Sequence, residues 1–360
     1  MVIVLTKIYR VDPDNIDLSV IEEAATILRK GGLVVFPTET VYGLGALITN
    51  RPAIKRIFEV KGRPMDNPLI VHVSDKERFL ELVRDPPPKI LELIDRFWPG
   101  PLTIVWWKKP IVPDEVTAGL PKVAVRAPAH PVALKLIEVA GEAIAAPSAN
   151  RSGKPSPTKP EHVIEDLYGL VDLIIDSGET LHGIESTIID FTVKPPKLLR
   201  PGALPIEVVE EILGEKIIVT DTARGIVESE KPEAPGMKYR HYAPETELLV
   251  VETDDYIGKL NLLVEKIRSI VVERKSRGLK IAILCSSETC NKYRDLDVIV
   301  IELGSREKIY TVTRRLFETL RRLDHIGVDL AIAEGFEEKG LGLTIMNRLR
   351  KAASQKIIKV

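Results

Sequence analysis

Cysteine is nearly missing from this chain of 360 residues, which contains only Cys285 and Cys290. Two thiols can build neither a disulfide framework nor a four-thiolate zinc site, and their spacing fits no common metal motif. They read as a buried strand cysteine and a loop cysteine. Long apolar runs are also missing. None approaches the ~20 residues of a membrane span, and the N-terminus lacks a basic-then-apolar leader, so a cytoplasmic protein without a membrane partner is expected. Nor is there an excess of charge of either sign. Lys plus Arg number 51 and Asp plus Glu 52, a formal net charge of −1 that disfavours a wholesale polyanion binder. No G-x-x-x-x-G-K-[ST] phosphate loop occurs, "GLGALI" is not a Rossmann fingerprint, and "GIEST" lacks the glycines of a nucleophile elbow. No metal-ligating cluster stands out.

The residues that are present describe a soluble two-domain α/β protein, with 44% hydrophobic and 29% charged residues. Apolar spacing predicts a helix over Ile16–Lys30, stopped by Gly31-Gly32, then a strand at Leu33–Phe36. Pro52 fits a first helical turn, with the helix continuing over Ala53–Val60. Strands are expected in "PLIVHV", "TIVWW", "VAVRAP", "AIAAPSAN", "DLIIDSG", "STIID" and "KLLRPG". Trp106 and Trp107 alternate faces, so one is expected in the core. Helices and strands mix to about Leu213, which indicates a layered α/β domain with a mixed sheet. From Gly214 the periodicity is lost over a Pro-rich stretch that still packs two tyrosines, a histidine and two cations into "GMKYRHY". Clean strand–helix alternation then resumes, as in a small parallel α/β domain. The expected divisions are 14–214, a linker or lid at 215–245, and 246–360.

In the first domain, unusual polar residues gather at the strand ends, where open α/β sheets bind ligands. "FPTETVYGLGA" (Phe36–Ala46) crowds Thr38, Glu39, Thr40 and Tyr42 between a proline and two glycines. "KGRPMDNPLIVHV" holds Lys61, Arg63, Asn67 and His72; "APSANRSGKPSPT" holds Ser148, Asn150 and Ser156; "GIESTIID" holds Ser186; "LLRPG" holds Arg200. Each has an ordinary reading. Lys61 and Arg63 can complement a helix C-terminus, His72 can be a satisfied core histidine, and Ser148 with Asn150 can form an Asx-type turn. Arg126, inside a Val/Ala strand, resists such a reading, because a buried arginine needs an anion. Fixed cations among hydroxyls describe a site for a polyphosphate and a second anion.

These six ordered motifs resemble those of the YrdC-like domain. With "PGMKYRHYAP" and a second α/β domain behind them, the chain is similar to the long form of the threonylcarbamoyl-AMP synthase family. The resemblance implies a YrdC-like domain with a twisted mixed sheet and a strand-end cleft, plus a smaller Rossmann-like parallel α/β domain. It implies formation of threonylcarbamoyl-adenylate and pyrophosphate from L-threonine, bicarbonate and ATP, with Mg2+, for t6A modification of tRNA. The downstream t6A transferase machinery, and tRNA itself, would then be partners. Carried over by position, Lys61, Arg63 and Arg126 would be catalytic. Thr40, His72, Arg126, Ala146 and Ser186 would surround threonine, with Thr38 to Tyr42 as one wall of its site. ATP would meet Lys61, Arg63, Asn67, Lys122, Ser148, Asn150, Ser156 and Arg200, and Tyr239 and His241 would belong to a lid. A carbamoyl-transfer module of hydrogenase maturation would carry acylphosphatase and zinc-finger segments, which are absent. A module that binds double-stranded RNA or tRNA without ATP turnover is the alternative from another class.

Overall fold

The computed structural model describes residues 4–228, 232–233 and 242–360. They form two compact units: one of 4–152, 156–223, 228 and 232–233, the other of 153–155, 224–227 and 242–360. The first unit is built on eleven strands: β1 (Lys7–Arg10), β2 (Val34–Phe36), β3 (Gly43–Leu47), β4 (Ile70–His72), β5 (Leu102–Trp107), β6 (Lys122–Arg126), β7 (Ile144–Ala145), β8 (Leu173–Asp176), β9 (Thr187–Asp190), β10 (Lys197–Arg200) and β11 (Ile218–Val219). They lie in the order β1-β8-β2-β3-β7-β4-β6-β5-β9-β10-β11. The sheet is mixed: β4 runs parallel to β6, while β7 is antiparallel to both β3 and β4. The expected class holds, although β1 joins the sheet ahead of residue 14.

Local chemistry accounts for the framework. Helix α1 (Leu18–Arg29) starts where the Asp17 carboxylate accepts from the Ser19 amide, and it buries Val20, Ile21, Ala24, Ala25 and Leu28 against a core shared with Phe36, Leu136 and Ile175. Helix α2 (Arg51–Lys61) is capped by Asn50 and takes Pro52 in its first turn; Gly62 ends it at φ 62°. This termination leaves Lys61 as the last helical residue, with Arg63 just beyond it. The "GLG" of β3 is not among the expected strands. A Cβ on Gly45 would come within 2.8 Å of the Phe36 ring and 2.7 Å of Ile144, and one on Gly43 within 3.2 Å of the same ring. The glycines leave room for an aromatic ring rather than for a bend.

The second unit has five strands, β12 (Glu247–Glu252), β13 (Ile281–Ser286), β14 (Ile299–Gly304), β15 (Leu330–Glu334) and β16 (Ile357–Lys359), in the order β14-β13-β15-β12-β16. Every pairing is parallel, as expected. Two details differ from expectation. Cys285 in β13 and Cys290, which starts the 3-10 helix Cys290–Leu296, form a disulfide; the turn between them brings their Cα atoms to 5.4 Å, within bridging distance. Neither Trp106 nor Trp107 enters the core, because they lie at the far end of β5, where Trp106 Nε1 donates to the Arg84 carbonyl at 2.6 Å. No helix among the described residues is long and apolar enough to cross a membrane.

Candidate active site

The site is built over the face of the large sheet, on a floor of small residues. Phe36 on β2 and His72 on β4 are three strands apart, roughly 14 Å in a flat sheet. Their rings nevertheless meet edge-to-face at 5.9 Å, because Gly43, Gly45 and Ala146 between them leave the space open. Ala146 is fixed in this floor by its N–H, which donates to the Ile70 carbonyl at 2.9 Å. His72 also pairs in register with Arg126 on β6, so the two side chains share one face. Burial first and the Arg126 charge second push the His72 imidazole down to about 3, and its Nδ1 has no partner among the described residues. It is a neutral polar group inside the protein.

Arg126 is only 3% exposed, and the anion its burial requires is Glu39, itself 4% exposed. Arg126 Nη2 lies 2.5 Å from Glu39 Oε1. Its Nε donates to the Gly100 carbonyl at 3.1 Å and its Nη1 to Thr40 Oγ1 at 2.9 Å. The contact with Glu39 is close but not in line, so Nη2 and both Glu39 oxygens are left without a directed hydrogen bond among the described residues. The loop carrying Glu39 is held internally by Thr38 Oγ1, which donates to the Val41 carbonyl at 2.6 Å and lies 2.8 Å from Thr40 Oγ1. His182 donates its backbone N–H to the Glu39 carbonyl at 2.9 Å. The His182 and His130 imidazoles stand in the field of Glu39, and burial lowers the pKa of each.

A second group forms around α2. The buried Lys61 ammonium donates to the Ser148 carbonyl at 2.5 Å and to the Asn150 carbonyl, and Ser148 Oγ donates to Asn150 Oδ1 at 2.6 Å. Arg63 folds back onto the Asn67 and Pro68 carbonyls at 3.2 and 3.0 Å, while both polar atoms of the buried Asn67 carboxamide have no partner among the described residues. In a third group, a register shift between Leu198 and Arg200 turns the arginine toward Ser186, where it donates to the Ser186 carbonyl at 3.0 Å and to its Oγ at 3.2 Å. Ser186 Oγ lies 2.7 Å from Thr103 Oγ1, and Ser156 Oγ donates to Glu185 Oε1 at 2.9 Å.

Tyr42 joins the first group to the segment that carries Ser148, Asn150 and Ser156. Its carbonyl accepts from Ala149 N at 2.8 Å, its N–H donates to the Pro157 carbonyl at 3.0 Å, and its hydroxyl donates to the Gly178 carbonyl at 2.7 Å. The fully buried Tyr42 is therefore a brace, whereas Glu39 faces Arg126. His130 and His182 escaped the sequence reading, and Glu39 entered it only as part of the Thr38–Tyr42 wall, without its pairing to Arg126. The need of Arg126 for an anion was the signal that could have found Glu39. Lys122 does not join Arg126: it opens β6 some 13 Å along the strand, paired with Asp190 at 2.6 Å and with Glu233. Tyr239 and His241 lie outside the described residues.

The state of His72 has a consequence for stability. The unfolded chain, with an ordinary imidazole near 6.5, binds a proton that the folded protein rejects until about pH 3. Stability is therefore fully present above pH 6.5 and is lost as pH falls below it. His72 should account for about 2 kcal/mol of lost stability between pH 8 and pH 5. Urea unfolding at the two pH values, on the protein and on His72→Gln, checks this. An unchanged pH dependence in the variant refutes the assignment.

Together, fold and site define the class: a YrdC-type α/β unit with cationic and hydroxyl groups over its sheet, joined to a parallel α/β unit. A family profile described as Telomere recombination matches residues 26–202. A second, described as Threonylcarbamoyl-AMP synthase, C-terminal domain, matches residues 204–354. The threonylcarbamoyl-AMP synthase of Pyrococcus abyssi is 51% identical over 94% of this chain and 95% of its own. That of Bacillus subtilis is 45% identical over 94% of each. The crystal structure of P. abyssi Sua5 complexed with L-threonine superposes with a TM-score of 0.88, at 48% identity over 99% of both chains. The chain belongs to the threonylcarbamoyl-AMP synthase family.

Proposed function

We propose that this protein condenses L-threonine, bicarbonate and ATP into threonylcarbamoyl-AMP and pyrophosphate, the adenylate then serving t6A modification of tRNA. The observation that carries this reading is Arg126, buried beside Thr40 Oγ1 with its Nη2 lacking a directed acceptor among the described residues, and the cup proposed for threonine is the space around it. A relative solved with L-threonine supports an amino acid in that cup. Arg126 Nη2 would hold the threonine carboxylate, with Thr40, His72, Ser186 and the Ala146 backbone around the rest of the ligand. Lys61, Arg63, Asn67, Ser148, Asn150, Ser156 and Arg200 would hold the nucleotide.

The chemistry needs no protein nucleophile. The carbamate oxygen attacks the α-phosphorus, the bond to the bridging oxygen breaks, and pyrophosphate leaves. Buried cations fixed before the reaction stabilise the charge that develops there. No group of three or more His, Cys, Asp or Glu able to hold a metal occurs among the described residues. The donors present suit Mg2+ arriving on the triphosphate, with Asn67 Oδ1 as a protein oxygen, and the ion would neutralise phosphate charge. We place the reaction in the cytoplasm, where ATP and tRNA meet. Incubating the protein with ATP, bicarbonate and threonine should yield pyrophosphate and a threonine-dependent adenylate detectable by mass spectrometry. ATP consumption that is indifferent to threonine would refute the reading.

A further inference from the structure

Glu39 is a buried carboxylate whose two oxygens accept no hydrogen bond among the described residues, although it lies against Arg126. A buried acceptor in this condition carries a free-energy cost that a donor-rich ligand would relieve. Amino-acid zwitterions present a carboxylate and an ammonium on adjacent atoms, and the Arg126–Glu39 pair presents the complementary charges side by side. We propose that Glu39 receives the ammonium of the amino-acid substrate and takes a proton from it, making Glu39 a catalytic residue of this site. The inference rests on the reading of the cup as the threonine site.

The step balances. One ammonium N–H proton moves to a Glu39 oxygen, and the nitrogen keeps the electron pair. That pair forms the C–N bond to bicarbonate; the C–OH bond breaks, and the departing hydroxide takes a second nitrogen proton and leaves as water. The resulting carbamate is the nucleophile toward ATP, and Glu39 returns its proton to solvent before the next turnover. An ammonium cannot attack carbon, so a base is needed wherever the bound amine is protonated. Among the described groups that face one another here, Glu39 supplies the negative charge that an ammonium needs. Arg126 carries a fixed positive charge and cannot accept a proton. His130 and His182 stand near, as does His72 beyond Arg126, and each is shifted by burial away from its protonated form. His182 reaches Glu39 through its backbone N–H.

The test uses the full chain, beginning with threonine-dependent adenylate formation by the unmodified protein. If that is absent, the threonine reading itself fails and the inference fails with it. If it is present, Glu39→Gln should lower kcat/KM for threonine about 100-fold at neutral pH with ATP affinity retained, and its unfolding midpoint should fall because Arg126 is left without its counter-charge. The deficit should shrink as pH rises, because more of the free amine arrives already deprotonated. A merely structural Glu39 would give a deficit that is constant with pH, and that result, or near-normal turnover, overturns the proposal while leaving the threonine reading intact. If Glu39→Gln does not fold, calorimetry on the unmodified protein decides. 3-Hydroxybutyrate, which lacks the amine, should bind about 100-fold more weakly than threonine, and equal binding refutes the ammonium contact.

Discussion

Valine should support adenylate formation about 10⁴-fold less efficiently than threonine, measured as the ratio of kcat/KM values from pyrophosphate release. The two amino acids have nearly the same shape, and a hydroxyl replaces a methyl group between them. An apolar pocket discriminates poorly between such isosteres, but a polar one does so strongly, since the wrong ligand leaves its buried groups without partners. The cup has this character. His72 is held neutral in the core with Nδ1 unpartnered, and the hydroxyls of Thr40 and Ser186 are buried. A threonine hydroxyl can satisfy the His72 Nδ1; a valine methyl seals it from water and offers nothing. Equal efficiencies would mean that the side chain lies elsewhere and would remove His72 and Thr40 from the assigned wall.

The second large effect concerns the buried ion pair. Arg126→Met should destabilise the protein by about 3–5 kcal/mol, because it leaves the Glu39 carboxylate buried without its counter-charge. In thermal unfolding this corresponds to a midpoint shift on the order of 10 °C. Adding Glu39→Leu should restore most of the stability, since an apolar pair of similar volume avoids the desolvation cost. Threonine binding, measured by calorimetry, should be lost in the single variant and remain lost in the double variant, while ATP affinity without threonine is kept. The double variant thus separates the structural cost of an orphaned charge from the loss of the ligand's carboxylate partner. If the single variant keeps both stability and threonine affinity, Arg126 has neither role.

Much of this was legible in the sequence because it depends on burial patterns. The Val/Ile strands, the amphipathic α1 and the alternation of the second unit follow from apolar spacing alone. Arg126 could be singled out because charge within an apolar strand conflicts with burial. The failures have a shared cause: the decisive partner is distant in sequence. Gly43 and Gly45 look like turn formers until the Phe36 ring is placed over them. Glu39 looks like loop polarity until β6 brings Arg126 against it from 87 residues away by number. Strand β16 is three residues long and gains its identity only from pairing with β12.

The register of β4 on β6 sets His72 beside Arg126, with Val71 beside Val125 and Ile70 beside Ala124. Side chains on a strand alternate between the two faces, so one residue added or removed between Ala124 and Arg126 would send the guanidinium through the sheet to its opposite side. No substitution elsewhere could return it. The exposed turn at Pro64–Asp66 is under no such constraint. Among descendants of this chain, the loops can therefore drift in length and composition. The two short strands can exchange side chains, but their residue count is held fixed.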